Sequence, residues 1–382
     1  MRLQTGDIWG GLAAMMVALP AAIGFGVIVY EPLGQMYNAQ GAMAGIIGTT
    51  LLGFFAAMFG GCQRLISAPC APAAAVLAAF AVQFTQMGMP PDQILLALLL
   101  IGLLASGFQM LFGLLKLGGL IKYMPYPVVS GYLSGVGLII IAAQTPKWLG
   151  ITGNQGFWFA LAAVDEWRWA SLIVGLVTAA FMIIGPRITQ KIPSVIMGIA
   201  GGVTTYWLLS LWDTSLQHIL NNTLIVGPLG GLGTAEAASD QVGGLTNFFS
   251  SNSLPYRAIA DAALPPIKHL LYPALTLAIL LSIDTLKTCI VLDTLTHSQH
   301  DSNRELLGQG IGNMASALCA GMPGAGTMGA SLLNMSSGAR TRASGMIEGL
   351  MVLLAYVLLA PLLAWLPLSA LAAILIVVGF AW

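Results

Sequence analysis

No residue between Ile8 and Val29 carries a charge, and runs of this kind recur along the whole chain. A transmembrane helix needs ~20 consecutive, mostly apolar residues. Apolar stretches bounded by charged or Pro/Gly-rich breaks fall at 8–29, 41–60, 69–86, 93–115, 127–145, 169–185, 194–212, 268–292, 305–321, 326–338, 343–366 and 368–382. Twelve such segments make the fold class an all-α polytopic membrane protein. Charged residues are only 7% of the 382, against ~25% in a soluble domain. A transmembrane β-barrel is excluded, because its segments are ~10 residues of alternating polarity. The first run is read as a spanning helix and not a signal peptide: it continues past Pro20, and no small-residue cleavage site precedes polar sequence.

Threading the segments with the N-terminus in the cytoplasm puts Arg2, Arg64, Lys116, Lys122, Arg187, Lys191, Arg304, Arg340 and Arg342 inside, and Lys147, Arg168, Arg257 and Lys268 outside. That excess of inner cations is what the positive-inside rule requires. It is expected of a bacterial inner-membrane protein with a cytoplasmic N-terminus. Residues 213–266, rich in Gly, Asn, Ser and Thr, read as an outer connecting loop with room for short helices. Trp148, Trp158, Trp167 and Trp169 cluster near an outer boundary and fit an interfacial belt.

The third segment opens as "RLISAPCAPAAAVLAAF" (64–80) and the tenth as "GMPGAGTMGASLLNM" (321–335). Each has a proline among small residues, then a short helix. The fifth, from Met124, and the twelfth, from Leu366, also begin with proline and small residues. Both pairs are offset by seven, and an odd-numbered unit repeated once is inverted in the membrane. Residues 1–212 are then the first repeat, 213–266 the extracytoplasmic connection, and 267–382 an incomplete second repeat. A seven-helix unit requires fourteen helices, so the chain is expected to lack its last two; a genuine twelve-helix protein is the alternative.

Non-helical backbone at membrane depth is tolerated only where it is buried in protein or lines a polar cavity. Two broken segments in matching halves suggest two short helices whose N-termini meet near the midplane. Each supplies free N–H groups and roughly half a positive charge, together a site for a small anion. Cys70 and Ala71 line it from the first half; Ala325, Gly326 and Thr327 line it from the second. A kink serving packing alone is the plainer alternative. Asp284 lies mid-segment, where a charge costs ~2.5–3.5 kcal/mol on insertion scales. Lys287 and Thr288 share its helical face. This trio binds a coupling cation, takes a proton or lines the anion cavity; an internal ion pair that only fixes packing is the alternative.

Other candidates are weaker. Glu348 is expected to snorkel or to pair with Arg342. His297 and His300 with Asp293 and Asp301 resemble a metal cluster, but read better as a solvated loop. Asn334 is placed to hydrogen-bond across helices. Cys62, Cys70, Cys289 and Cys319 lack CxxC spacing and read as packing residues, with no metal site. Zero net charge leaves no nucleic-acid footprint. No GxSxG, HExxH or P-loop is present, so the chain is read as no enzyme and needing no cofactor, and secondary transport or a channel is favoured over a pump.

"ELLGQGIGNMASALCAGMPGAGTMGASLLNMSSGARTRASG" (305–345), "GDIWGGLAAMMVALPAAIGFG" (6–26) and "LLSIDTLKTCIVLDTLTHSQHDSNRELLGQGIGN" (280–313) resemble the SulP inorganic anion transporters, the group that includes solute carrier family 26. The likeness is nearest to the cyanobacterial sodium-dependent bicarbonate branch. It implies a seven-plus-seven inverted fold. A core domain of segments 1–4 and 8–11 would move like an elevator against a gate of 5–7 and 12. It also implies an anion between the third and tenth helix starts, a sodium ion at Asp284 and Thr288, a homodimer as a candidate assembly, and a cytoplasmic STAS domain beyond Trp382. Two departures stand out: Cys70 replaces the usual Thr or Ser, and Lys287 replaces a usually apolar residue. The reading favoured from sequence is a bicarbonate or sulfate transporter coupled to Na⁺ or H⁺. An uncoupled exchanger or channel, or a nucleobase transporter on the same fold, is the alternative.

Overall fold

In the computed structural model, residues 4–123, 126–151, 156–188, 193–218, 222–227 and 268–380 are described. The chain runs α1 (Thr5–Tyr30), α2 (Asn38–Phe59), β1 (Ser67–Pro69), α3 (Ala71–Gln86), α4 (Pro91–Leu114), α5 (Tyr126–Trp148), α6 (Phe157–Ala162), α7 (Trp169–Ile188) and α8 (Ser194–Ser210). After the outer connection come α9 (Lys268–Thr296), α10 (Ser302–Leu318), β2 (Gly324–Gly326), α11 (Met328–Ser336), α12 (Ala343–Ala364) and α13 (Leu368–Phe380). Each of the twelve apolar segments contains a helix. The sequence reading missed α6, a single short helix in the loop between α5 and α7.

Among the described residues, six helices are long and apolar enough to cross a membrane: the α1, α2, α4, α7, α9 and α12 regions. The others fall short for different reasons. Helices α3 and α11 are halves, because Pro69, Pro323 and the glycines around β2 keep the preceding backbone extended. Helix α10 is long, but its buried face is polar: Glu305, Gln309 and Asn313 repeat every four residues and lie on one stripe.

Packing sorts the helices into two groups. In one, α10 lies between α2 and α4, α12 lies on α1 and α2, and α9 runs along α4, α3 and β2. In the other, α13 packs on α5, α7 and α8. Close approach in the first group rests on small residues, as is usual for membrane helices. A Cβ at Gly26 would strike the carbonyl of Gly41, and one at Gly41 would meet the carbonyl of Gly26 at 2.5 Å. Asp7 ties α1 to the α11–α12 turn, accepting from the N–H groups of Arg340 (2.8 Å) and Thr341 (2.9 Å) and from the Thr341 hydroxyl (2.8 Å).

Part of the connecting loop is ordered against the second half. Ile225 bridges Pro367, Val226 N–H donates to Leu366 (3.0 Å), and Leu368 N–H donates to Leu224 (2.8 Å). The expectation of short helices within 213–266 is met by one 3₁₀ turn, Thr214–Gln217; residues 228–266 lie outside the described residues.

Candidate anion site

The two broken segments meet. Strands β1 and β2 form an antiparallel ribbon in the register Ser67↔Gly326, Ala68↔Ala325 and Pro69↔Gly324. Antiparallel pairing makes the chain enter α3 at one end of the ribbon and α11 at the other. Cys70 is the N-cap of α3 and Thr327 the N-cap of α11. They do not touch. Four steps of extended chain lead from Cys70 back to Ile66, the residue whose carbonyl takes the Thr327 N–H at 2.8 Å. At ~3.3 Å per residue that is about 13 Å. The first N–H groups of both helices lack intrahelical acceptors, although Pro72 removes one donor from α3.

A two-stranded ribbon leaves outer edges that lipid cannot satisfy. Side chains seal the β2 edge. Asn313 from α10 donates to the Gly324 carbonyl (2.9 Å) and accepts the Gly324 N–H (2.8 Å), standing in for a third strand. From α9, Thr285 accepts the Gly326 N–H (3.0 Å) and Thr288 donates to the Gly326 carbonyl (2.9 Å). Gln309 donates to Ser67 (2.6 Å) and to Glu305 (2.9 Å), whose carboxylate takes the N–H groups of Gly61 and Cys62. Thr285, Gln309 and Asn313 were absent from the sequence-derived site. For Gln309 and Asn313 the signal was present in the polar i, i+4 spacing from Glu305.

Asp284 lies beside this ribbon. Its Oδ1 takes the Lys287 ammonium at 2.7 Å, with side chains 9% and 17% exposed respectively. Both charges lie within electrostatic reach of the Cys70 sulfur, which also sits against the backbone N–H of Ala325. Thr288 is occupied in holding Gly326 and its own helix. Cys70 and Ala71 thus lie at one end of the ribbon and Gly326 and Thr327 at the other, with Ala325 paired to Ala68 between them and Asp284, Lys287 and Thr288 alongside on α9.

The remaining candidates resolve differently. Arg342 does not pair with Glu348; it donates to the Gly60 carbonyl (2.6 Å). Glu348 neither snorkels nor pairs. The face of α12 that carries it packs on α2 against Gly53, so the side chain is fully buried and both its oxygens lack a hydrogen-bond partner. Asp293, His300 and Ser302 form a hydrogen-bonded chain (2.6 and 2.9 Å) at the α9–α10 turn, and Asp301 caps α10. No metal-holding group occurs among the described residues. Asn334 donates to the Arg64 carbonyl and to Ser344. Trp158 and Trp169 are exposed, while the Trp148 and Trp167 indoles are tied to backbone carbonyls.

A model of the sulfate permease family matches residues 5–381. The chain belongs to the sulfate permease family. Within that family it is 32% identical over 381 residues to the bicarbonate transporter BicA of Picosynechococcus sp., covering 98% of this chain and 61% of that protein. It is 24% identical over 384 residues to the putative sulfate transporter YvdB of Bacillus subtilis, covering 98% of this chain and 64% of that one. The chain thus spans less than two thirds of the length of these sulfate permease relatives. The transmembrane domain of a cyanobacterial bicarbonate transporter BicA superposes with a TM-score of 0.77 at 32% identity, covering 99% of this chain and 88% of that one. The structure of SLC26A9 superposes with a TM-score of 0.72 at 18% identity, over 98% of this chain and 57% of that one, a likeness of fold. The helical membrane fold expected from sequence is the fold of this family.

Proposed function

We propose that the protein is a secondary transporter of a small inorganic anion, bicarbonate or sulfate, with the anion held between the starts of α3 and α11. The observation that carries this reading is the β1–β2 ribbon, which sets two helix N-termini at the ends of one buried, side-chain-sealed element. Partial positive charge from two helix ends, with Asp284 beside them paired to Lys287, suits an anion of low charge. The names of the BicA and YvdB relatives support bicarbonate and sulfate as the substrates to try. The α1–α4 and α9–α12 group serves as core, the α5, α7, α8 and α13 group as gate, and transport proceeds by movement of one against the other. The membrane is the bacterial inner membrane, with the N-terminus in the cytoplasm.

The test is uptake of radiolabelled bicarbonate and sulfate by proteoliposomes holding the full chain. Saturable uptake competed by the unlabelled anion is expected; absence of uptake for both anions overturns the reading. Unitary currents in planar bilayers would replace it with a channel. Sequence favours Na⁺ or H⁺ as the driving ion. The Asp284–Lys287 ion pair supports the second reading, a carrier uncoupled from cations.

A further inference from the structure

We propose that the Lys287 ammonium is a tethered counter-ion that takes the place of a coupling cation at Asp284, so that anion transport by this protein is independent of sodium and proton gradients. The inference rests on the transporter reading above and deepens it.

A carboxylate buried beside an anion pocket has to be neutralised, both because a lone charge in the bilayer is costly and because it repels the incoming anion. A mobile cation that does this travels with the anion, and the two gradients become coupled. Here the neutralising charge is covalently attached. Lys287 lies one helical turn after Asp284, and its Nζ reaches Oδ1 at 2.7 Å. Asp284 is the one acid in salt-bridge contact with Lys287 among the described residues. One unit of negative charge does not balance two unit cations. A sodium ion bound at Asp284 and about 4 Å from the ammonium would lose to repulsion roughly half of the attraction it gained.

The neighbouring groups also fit sodium poorly. Beside the carboxylate stand an ammonium, which has donors only, and the Cys70 sulfur, while the Thr288 hydroxyl is already committed to the Asp284 and Gly326 carbonyls. Hard cations take oxygen ligands, and a thiol is a soft one. Glu305, the next buried acid toward the ribbon, is held by Gly61, Cys62 and Gln309.

The decisive experiment uses proteoliposomes of the full chain, with sodium replaced by choline on both sides, and measures labelled sulfate and bicarbonate uptake. Wild-type uptake is expected to change by less than about twofold, and sulfate uptake to ignore an imposed pH gradient. Lys287→Met leaves Asp284 without its partner, so its sodium-free uptake is expected to fall by roughly tenfold or more. Added sodium should restore it. Loss of wild-type uptake in choline, dependence on a proton gradient, or full sodium-free uptake by Lys287→Met overturns the proposal. Melting in detergent gives a reading that needs no transport. Sodium titrated against choline should leave the wild-type midpoint in place and raise that of Lys287→Met; a sodium-dependent rise in wild type overturns the proposal. If neither anion is taken up by wild type, the transporter reading fails, while the melting result still decides whether sodium binds.

Discussion

At the scale of single residues, the ribbon depends on side chains that carry backbone duties. Asn313 makes both hydrogen bonds of Gly324 and a third to Gln109 (2.7 Å). Asn313→Leu strands a buried N–H and a buried carbonyl, each worth about 1–3 kcal/mol when unpaired. The expected loss of about 2–5 kcal/mol would appear as a lowered melting temperature in detergent. Thr285→Val strands only the Gly326 N–H and should cost about half as much. Asp284→Asn tests a different property. It leaves the Lys287 charge facing the pocket, an added attraction of about 1.4 kcal/mol for an anion at about 12 Å in a medium of effective dielectric about 20. The apparent anion affinity is then expected to rise by about tenfold while turnover slows. An unchanged KM in uptake assays would count against a pocket near this pair.

At the scale of elements, the α1–α2 crossing rests on backbone contact at Gly26 and Gly41. Gly26→Ala drives a methyl into a main-chain oxygen that cannot rotate away, and overpacking of this kind costs about 1–3 kcal/mol. Reduced recovery of folded protein and a lower melting temperature are the expected readout. The same element scale shows what the sequence makes legible. Helix positions follow from apolar run length, and the paired breaks follow from proline and glycine where the bilayer forbids open backbone. The strand pairing was not legible: Ser67–Pro69 and Gly324–Gly326 carry too few residues for a period-2 pattern. The polar stripe Glu305–Gln309–Asn313 was visible as spacing but not as a clamp, because the main-chain groups that Glu305 and Asn313 hold lie 244 and 11 residues away and the Ser67 hydroxyl that Gln309 holds lies 242 away. Glu348 was misjudged because distance from a segment end gives depth and not facing, and its face is set by packing on α2.

At the scale of the whole molecule, the two packing groups meet away from the candidate site. Lys147 of α5 contacts Glu31, just after α1, at 2.9 Å, in a pocket also lined by Asn38, Ser171 and Ser369. The proposed movement of one group against the other would have to break this pair wherever it opens that pocket. On the proposed mechanism, internal cancellation of Asp284 by Lys287 also fixes what the moving part carries. A loaded carrier moves the charge of its anion alone, so uptake should respond to membrane potential by about 2.3 kcal/mol per charge per 100 mV. Valinomycin-clamped proteoliposomes are expected to fill faster when positive inside; rates indifferent to potential would argue for a compensating ion. The sealed ribbon has a wider consequence. Its geometry is written in amide and hydroxyl groups of neighbouring helices, so a few side-chain replacements could re-aim the pocket while every span remained helical, which gives a family of carriers a way to exchange one cargo for another without redrawing its scaffold.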